Sequence, residues 1–160
     1  MSTPLHSPGF VDLQVNGFVG VDFSSESLTE ESFLHAGHAL LARGTAAFLP
    51  TLITNSEARL HRNLALITGA LKKDATLSRH ILGIHLEGPF ISKEPGAVGA
   101  HDPLSVHAPD IDCFERLLGW SEGRLKLLTL AAELAGADAL ARHAVKRGVA
   151  VSCGHQLAGP

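Results

Sequence analysis

The stretch Arg79-His-Ile-Leu-Gly-Ile-His-Leu-Glu-Gly-Pro-Phe-Ile-Ser-Lys-Glu-Pro-Gly-Ala-Val-Gly-Ala-His-Asp-Pro103 decides how the chain reads. It predicts a buried strand in which Ile81, Leu82, Ile84 and Leu86 form a short apolar run, ended by Gly88-Pro89. His85 and Glu87 stand two residues apart, so on a strand their side chains leave the same face. Burying a histidine and a carboxylate unpaired on an otherwise apolar face is costly. A metal or a substrate is the expected partner where such a strand ends. The Gly- and Pro-rich loop that follows carries Lys93, Glu94, His101 and Asp102. Loops of this composition held by a rigid strand usually carry function.

Working outward, Gly9-Phe-Val-Asp-Leu-Gln-Val-Asn-Gly17 alternates apolar and polar residues and predicts a first strand, with Asp12, Gln14 and Asn16 on one face. Ser27-Leu-Thr-Glu30 has the form of a capping box, and Phe33, Ala36, Leu40 and Leu41 follow at helical spacing up to Gly44. Thr45–Thr54 predicts a second strand, its regular part ending early at Pro50. Asn55 or Ser56 caps a second helix with Leu60, Leu64, Ile67 and Leu71 inward. Beyond the opening stretch, Asp110 caps a short helix bearing Phe114, Leu117 and Leu118. Leu125–Ala131 predicts a fourth strand leading to Glu133. Asp138–Arg147 predicts a helix with Leu140, Ala144 and Val145 inward, closed by Gly148. Val149–His155 predicts a fifth strand, in which Cys153 reads as a packed thiol.

Strands too apolar for one-sided exposure, joined through helix–Gly–strand junctions at Gly44 and Gly148, predict a parallel sheet covered by helices. Five strands in 160 residues is roughly 32 residues per unit, near the ~250 residues that eight units take in a (β/α)8 barrel. The expected fold is therefore α/β, a partial TIM-type barrel of about five βα units with outer helices. It forms one incomplete domain over residues 1–160. The alternative is a complete five-stranded doubly wound sheet, but neither G-x-G-x-x-G nor G-x-x-x-x-G-K-[ST] is present. G-x-S-x-G and cysteine-nucleophile motifs are absent too.

Composition narrows the partners. A net charge of -3 argues against nucleic acid, and no apolar run approaches the ~20 residues of a membrane span. The start, Met1–Pro8, has neither the basic nor the apolar region of a secretory leader. Cys113 and Cys153 do not read as a disulfide framework, which fits a reducing cytoplasm.

The candidate chemistry gathers at strand ends: Gln14 and Asn16, His85 and Glu87, Glu133, and His155. In a parallel barrel those ends meet at one mouth, where active sites are built. Glu87 and His155 are ordinary zinc ligand types, and a third protein ligand is missing from any matching position. His85 reads equally as a hydrogen-bonded core histidine, His155 as a loop residue, and Gln14 and Asn16 as the finish of a turn. Histidines 35, 38, 61 and 143 fall in predicted helices, where solvated positions are the default. His101 lies beside the Gly-rich motif.

His85-Leu-Glu-Gly-Pro-Phe90 followed by Gly96-Ala-Val-Gly-Ala-His101 resembles the signature of the N-acetylglucosamine-6-phosphate deacetylase family of the amidohydrolase superfamily. Gly9–Gly17, Gly44–Thr51, Leu128–Glu133 and Val151–His155 are similar to further blocks of that family, in its order. The resemblance implies hydrolysis of the N-acetyl group of N-acetylglucosamine 6-phosphate to acetate and glucosamine 6-phosphate, a step of amino-sugar breakdown. It implies Glu87 and His155 as ligands of one divalent metal ion, zinc. It assigns Gly99, Ala100 and His101 to the substrate, with His101 catalytic beside the scissile amide. It further implies a small-molecule amino-sugar phosphate as partner and a cytoplasmic homo-oligomer for the full-length enzyme.

Gln14 and Asn16 stand where many superfamily members have His-x-His, which favours a single metal. By the same resemblance a further histidine ligand, a proton-transferring aspartate, the last barrel units and a flanking β-sandwich fall outside these 160 residues. Two other readings stay open: a catalytically inactive or partner-dependent half-barrel, and another amidohydrolase such as a deaminase. The Gly-Ala-His loop argues against the last.

Overall fold

The computed structural model describes residues 8–159. The leader-like comparison made on Met1–Pro8 therefore falls almost wholly outside the described residues. Strand β1 (Phe10–Val15) leads through a two-stranded hairpin, β2 (Gly17–Phe18) and β3 (Val21–Asp22), into helix α1 (Glu30–Ala42). Then come β4 (Thr45–Ile53), α2 (Glu57–Lys73), α3 (Ala75–His80) and β5 (Ile84–Glu87). A long loop, α4 (Ile111–Trp120), β6 (Leu125–Leu130), α5 (Ala137–Lys146) and β7 (Ala150–Cys153) complete the described chain.

The main sheet has the order β1-β4-β5-β6-β7, and every neighbouring pair is parallel. Strands that follow one another in space as they do in sequence, without a reversal, are those of a (β/α) barrel. A doubly wound sheet reverses its order at a switch point. The chain is thus an α/β partial TIM-type barrel, and the doubly wound alternative is set aside.

Burial holds the helices to one face of this sheet. Ile84 and Leu86 of β5, Leu128 of β6 and Leu52 of β4 join Leu64, Ile67, Phe114 and Leu117 from the helices in one buried cluster. Phe23, Phe33, Phe48, Phe90 and Phe114 are fully enclosed. Truncating any one of them to alanine is expected to destabilise by ~3–5 kcal/mol. The buried Asn63 of α2 donates to the carbonyls of Phe23 and Ser25 at 3.0 and 2.9 Å, tying the segment before α1 to the core. Sequence patterning gave no hint of that clamp.

Several local expectations need correction. Thr29, not Ser27, caps α1, closing its box with Ser32, because residues 25–28 form turns anchored by Asn63. Between the predicted second helix and third strand an extra helix, α3, is capped by Asp74. Leu82 is exposed, since the chain touches β4 at Ile81 and enters regular pairing only from Ile84 and His85. β4 runs through Pro50 rather than ending there; on the β5 side Pro50 falls between the Phe48–Ile81 bridge and the pairing from Thr51, and on the β1 side it stands opposite Val15, just past a register shift. Val145 is exposed because the buried stripe of α5 is Ala137, Leu140 and Ala144, and one further residue turns ~100° away. Cys153 is exposed rather than packed, because β7 is an edge strand of the sheet among the described residues. Ser56 is the residue that caps α2, and Gly44 takes the left-handed conformation that ends α1.

Candidate functional site

Parallel pairing in this register brings one face of β5 into a row with its neighbours. His85 stands opposite Thr51 on β4 and Leu127 on β6, and Glu87 opposite Ile53 and Thr129. The β7 register continues the row with Ala150 and Ser152. Ile84 and Leu86 go to the helix side, so His85 and Glu87 face away from it, as period-2 geometry requires.

His85 is buried and held at both ring nitrogens. Its Nδ1 lies 3.1 Å from the Thr51 hydroxyl, and its Nε2 lies 2.8 Å from that of Thr129. Burial pushes its pKa down against the opposing charge of Glu87. A neutral ring with both nitrogens paired across three strands is a structural tie. Of the two readings open for His85, the geometry is that of the hydrogen-bonded core residue.

Glu87, His101 and His155 form the one cluster of three potential ligand residues among the described residues, with a ligand atom of each within 4.8 Å of the others. The elements that deliver them are distinct. Glu87 ends β5, and His155 follows β7 after Gly154. The loop returning from Gly88 through turns at Glu94 and Val98 brings in His101. His155 Nε2 lies 3.0 Å from Glu87 Oε1, His101 Nε2 lies 3.9 Å from Glu87 Oε2, and the two imidazoles meet edge to face at 4.2 Å between centroids.

The remote nitrogen of each imidazole fixes its role. His155 Nδ1 is 2.9 Å from the Ala97 carbonyl, which only accepts, so Nδ1 carries hydrogen. Nε2 is then the atom facing the carboxylate, and two such atoms 3.0 Å apart need a proton or a cation between them. Two ligands on a tetrahedral zinc at ~2.0–2.2 Å are roughly 3.3 Å apart, so the Glu87–His155 pair stands close to chelating separation. The backbone-anchored Nδ1–H is also the usual support of a metal-bound histidine. This donor set fits a divalent cation.

His101 is buried and anchored from its own Nδ1, which lies 2.8 Å from the Thr54 hydroxyl. Burial, and after it the neighbouring His155, push its pKa down, opposed by Glu87. Gly99, in the left-handed region, passes so close to His155 that a Cβ there would sit 3.2 Å from the ring. It and Ala100 are exposed at the loop surface.

Other residues singled out in the sequence are not brought here. Glu133 is exposed and accepts from the Leu157 N–H at 2.8 Å. Asp102 caps a short turn through Leu104 and Ser105. Lys93 and Glu94 are exposed, and Gln14 and Asn16 lie exposed at the end of β1. Histidines 35, 38 and 61 are exposed, and His143 is half-buried against Glu115. Thr51, Thr54 and Thr129 were missed. Their signal was present, as hydroxyls within or just after apolar strands, where a buried polar group must be serving a partner.

No family model matches the chain. Human N-acetylglucosamine-6-phosphate deacetylase is 38% identical over 160 residues, spanning 95% of this chain, and the bovine enzyme is 36% identical over 159. A solved structure of the Mycobacterium smegmatis deacetylase, a mutant in complex with N-acetyl-D-glucosamine-6-phosphate, superposes with a TM-score of 0.83 at 33% identity over 94% of this chain. Over almost its whole length the chain is similar to N-acetylglucosamine-6-phosphate deacetylases. It spans 37% of the length of each of these three relatives.

Proposed function

We propose that this chain supplies the carboxylate–histidine part of a metal-dependent deacetylase site, acting on the N-acetyl group of N-acetylglucosamine 6-phosphate to release acetate and glucosamine 6-phosphate. The observation that carries this is the meeting of Glu87, His101 and His155 at the C-terminal ends of parallel strands. Glu87 and His155 would hold one divalent ion, zinc by their ligand type. When bound, such an ion polarises an amide carbonyl and makes water a stronger acid.

The chain's own residues do the rest. Glu87 presents its carboxylate from a rigid strand, and Ala97 orients His155 through Nδ1–H. His101 presents Nε2 3.9 Å from the other carboxylate oxygen of Glu87, placed to donate a hydrogen bond to an amide oxygen as negative charge develops there. Gly99 and Ala100 border the substrate beside it. A cleft of about 470 Å³, lined by Ser92, Lys93, His107 and Glu133 but by none of Glu87, His101 and His155, takes the sugar ring in this reading; Ser92 links the two, its N–H donating to the His155 carbonyl at 3.0 Å. We place this activity in amino-sugar breakdown, in a cytoplasmic enzyme that works as a homo-oligomer.

A segment replacement tests the reading. Residues 8–159 are exchanged for the matching segment of the Mycobacterium smegmatis enzyme, and acetate release from N-acetylglucosamine 6-phosphate is measured. An active chimera that loses turnover on Glu87→Gln and on His155→Gln supports the proposal. A folded, zinc-loaded chimera without turnover refutes it.

A second reading, a non-catalytic half-barrel that works through a partner, is favoured by edge strand β1, where Phe10, Val11 and Leu13 are 74%, 59% and 54% exposed. The same assay separates the two.

A further inference from the structure

We infer that Thr54 is a positioning residue that fixes the tautomer of His101, making it a hydrogen-bond donor at Nε2 and not a metal ligand. This deepens the proposed function and rests on it for the identity of the acceptor. The geometry of Thr54 stands apart from that reading.

Thr54 and His101 are both buried, with 2% and 5% of their surfaces exposed, so water does not rearrange their hydrogen bonds. Two groups of Thr54 address the same ring nitrogen. Its hydroxyl is 2.8 Å from His101 Nδ1, and its backbone N–H points at Nδ1 from 3.3 Å. A backbone N–H only donates. A hydrogen on Nδ1 would confront it, whereas the Nδ1 lone pair accepts from it.

The hydroxyl hydrogen has one other acceptor in reach, the Glu87 carbonyl at 3.3 Å. That carbonyl also receives the Thr54 N–H at 3.0 Å, so the N–H is shared between it and Nδ1, and for the hydroxyl Nδ1 is the nearer acceptor. Both groups therefore select an unprotonated Nδ1, which places the proton on Nε2, 3.9 Å from the Glu87 carboxylate. His155 is anchored the opposite way, its Nδ1 against a carbonyl that only accepts. Two histidines 4.2 Å apart are thus set in opposite tautomers by their backbone surroundings. One presents a lone pair, as a ligand does, and the other presents an N–H, as an oxyanion donor does. The cluster of three holds two ligands and one donor.

The test is 15N solid-state NMR of the histidine-labelled chain, metal-free and zinc-loaded. Protonated and unprotonated ring nitrogens give separate signals, and association of the chain does not matter. His101 is assigned by the signals missing in His101→Asn. In the parent chain and in Thr54→Ser, His101 is expected as the Nε2–H tautomer. In Thr54→Val, losing one buried hydrogen bond is expected to shift the tautomer ratio toward Nδ1–H by roughly five- to tenfold. Thr54→Ala repeats the measurement if the valine variant does not fold. A parent His101 protonated at Nδ1, or a ratio unchanged in both variants, overturns the inference. Zinc is expected to move the His155 signals and leave the His101 Nε2–H in place; loss of that proton on zinc addition also overturns it. Zinc that moves no histidine signal refutes the metal-centre reading while the metal-free spectra still decide the role of Thr54.

Discussion

Gly88 separates Glu87 from the loop that returns with His101, and replacing it by alanine tests how tightly that junction is built. Gly88 has φ +85°, and a Cβ added there would stand 2.1 Å from the Thr54 hydroxyl and 3.4 Å from Thr54 Cβ. The left-handed backbone alone costs an L residue ~1–2 kcal/mol. The collision adds more, because the Thr54 hydroxyl must swing away and leave His101 Nδ1 short of a partner, ~1–3 kcal/mol for a buried group. The expected total is about 2–5 kcal/mol, a large share of the ~5–15 kcal/mol of an ordinary domain.

Gly96 supplies the control. Its φ is +91°, and a Cβ there meets nothing within 4 Å, so Gly96→Ala pays only the backbone part. Equilibrium urea unfolding of Gly88→Ala, Gly96→Ala, Thr54→Ala and Gly88→Ala/Thr54→Ala gives both terms. Removing the hydroxyl first is expected to make the Gly88 substitution cheaper, with a coupling of ~1–3 kcal/mol between the two sites. If Gly88→Ala costs no more than Gly96→Ala, or the double mutant is additive, the close packing of Gly88 on Thr54 is not what fixes this junction.

Isothermal titration of the chain with zinc is expected to show binding that weakens at least ~100-fold on Glu87→Ala or His155→Ala and changes little on His101→Ala; equal losses at all three would refute the division of roles. Edge strand β1 exposes Val11 and Leu13, so the chain is expected to self-associate in size-exclusion chromatography, and Val11→Lys with Leu13→Lys to shift it toward monomer. Burial, and then the charge of Glu57, raise the Cys113 thiol from 9.0 to about 11, so iodoacetamide at pH 8 is expected to label exposed Cys153 and spare Cys113, read by mass spectrometry. Because the folded-state pKa of Cys113 is the higher, its contribution to stability is complete below pH 9 and is lost as pH rises through about 11. That loss is on the order of 2–3 kcal/mol, and Cys113→Ala is expected to remove the alkaline slope.

The elements with strong local signals were legible. Leu60, Leu64, Ile67 and Leu71 recur at helical spacing and are all buried on α2, and Gly44 and Asp110 mark helix ends as their chemistry predicts. Whatever depended on position within the sheet was not legible. Cys153 and Leu82 sit in apolar runs, yet one lies on an edge strand and the other where pairing has not begun; neither fact is written in local composition. Val145 failed for a smaller reason, one residue of helical phase. At the site, His85-Leu-Glu87 could be placed on one face from spacing alone. The approach of His101 and His155 to Glu87 depends on a loop closing across three strands, and the geometry of that closure has no period to read.

The row of inner side chains explains how three neighbouring histidines come to differ. His85 lies one layer below Glu87, enclosed by Thr51 and Thr129, and hydroxyls satisfy both its nitrogens because they both donate and accept. Such partners impose no tautomer, which suits a tie between strands. At the mouth the partners are backbone groups with a single sense. Ala97 offers only a carbonyl to His155, and Thr54 adds an N–H to the hydroxyl it offers His101. A backbone group cannot change its sense without the chain moving. The loop that carries His101 thus sets the electronic sense of His155 through Ala97, while Thr54, just after β4, sets that of His101. Glu87, approached by each ring at a different carboxylate oxygen, makes those opposite senses chemically useful: a carboxylate beside one lone pair attracts a cation, while the N–H 3.9 Å from its other oxygen serves a substrate oxygen.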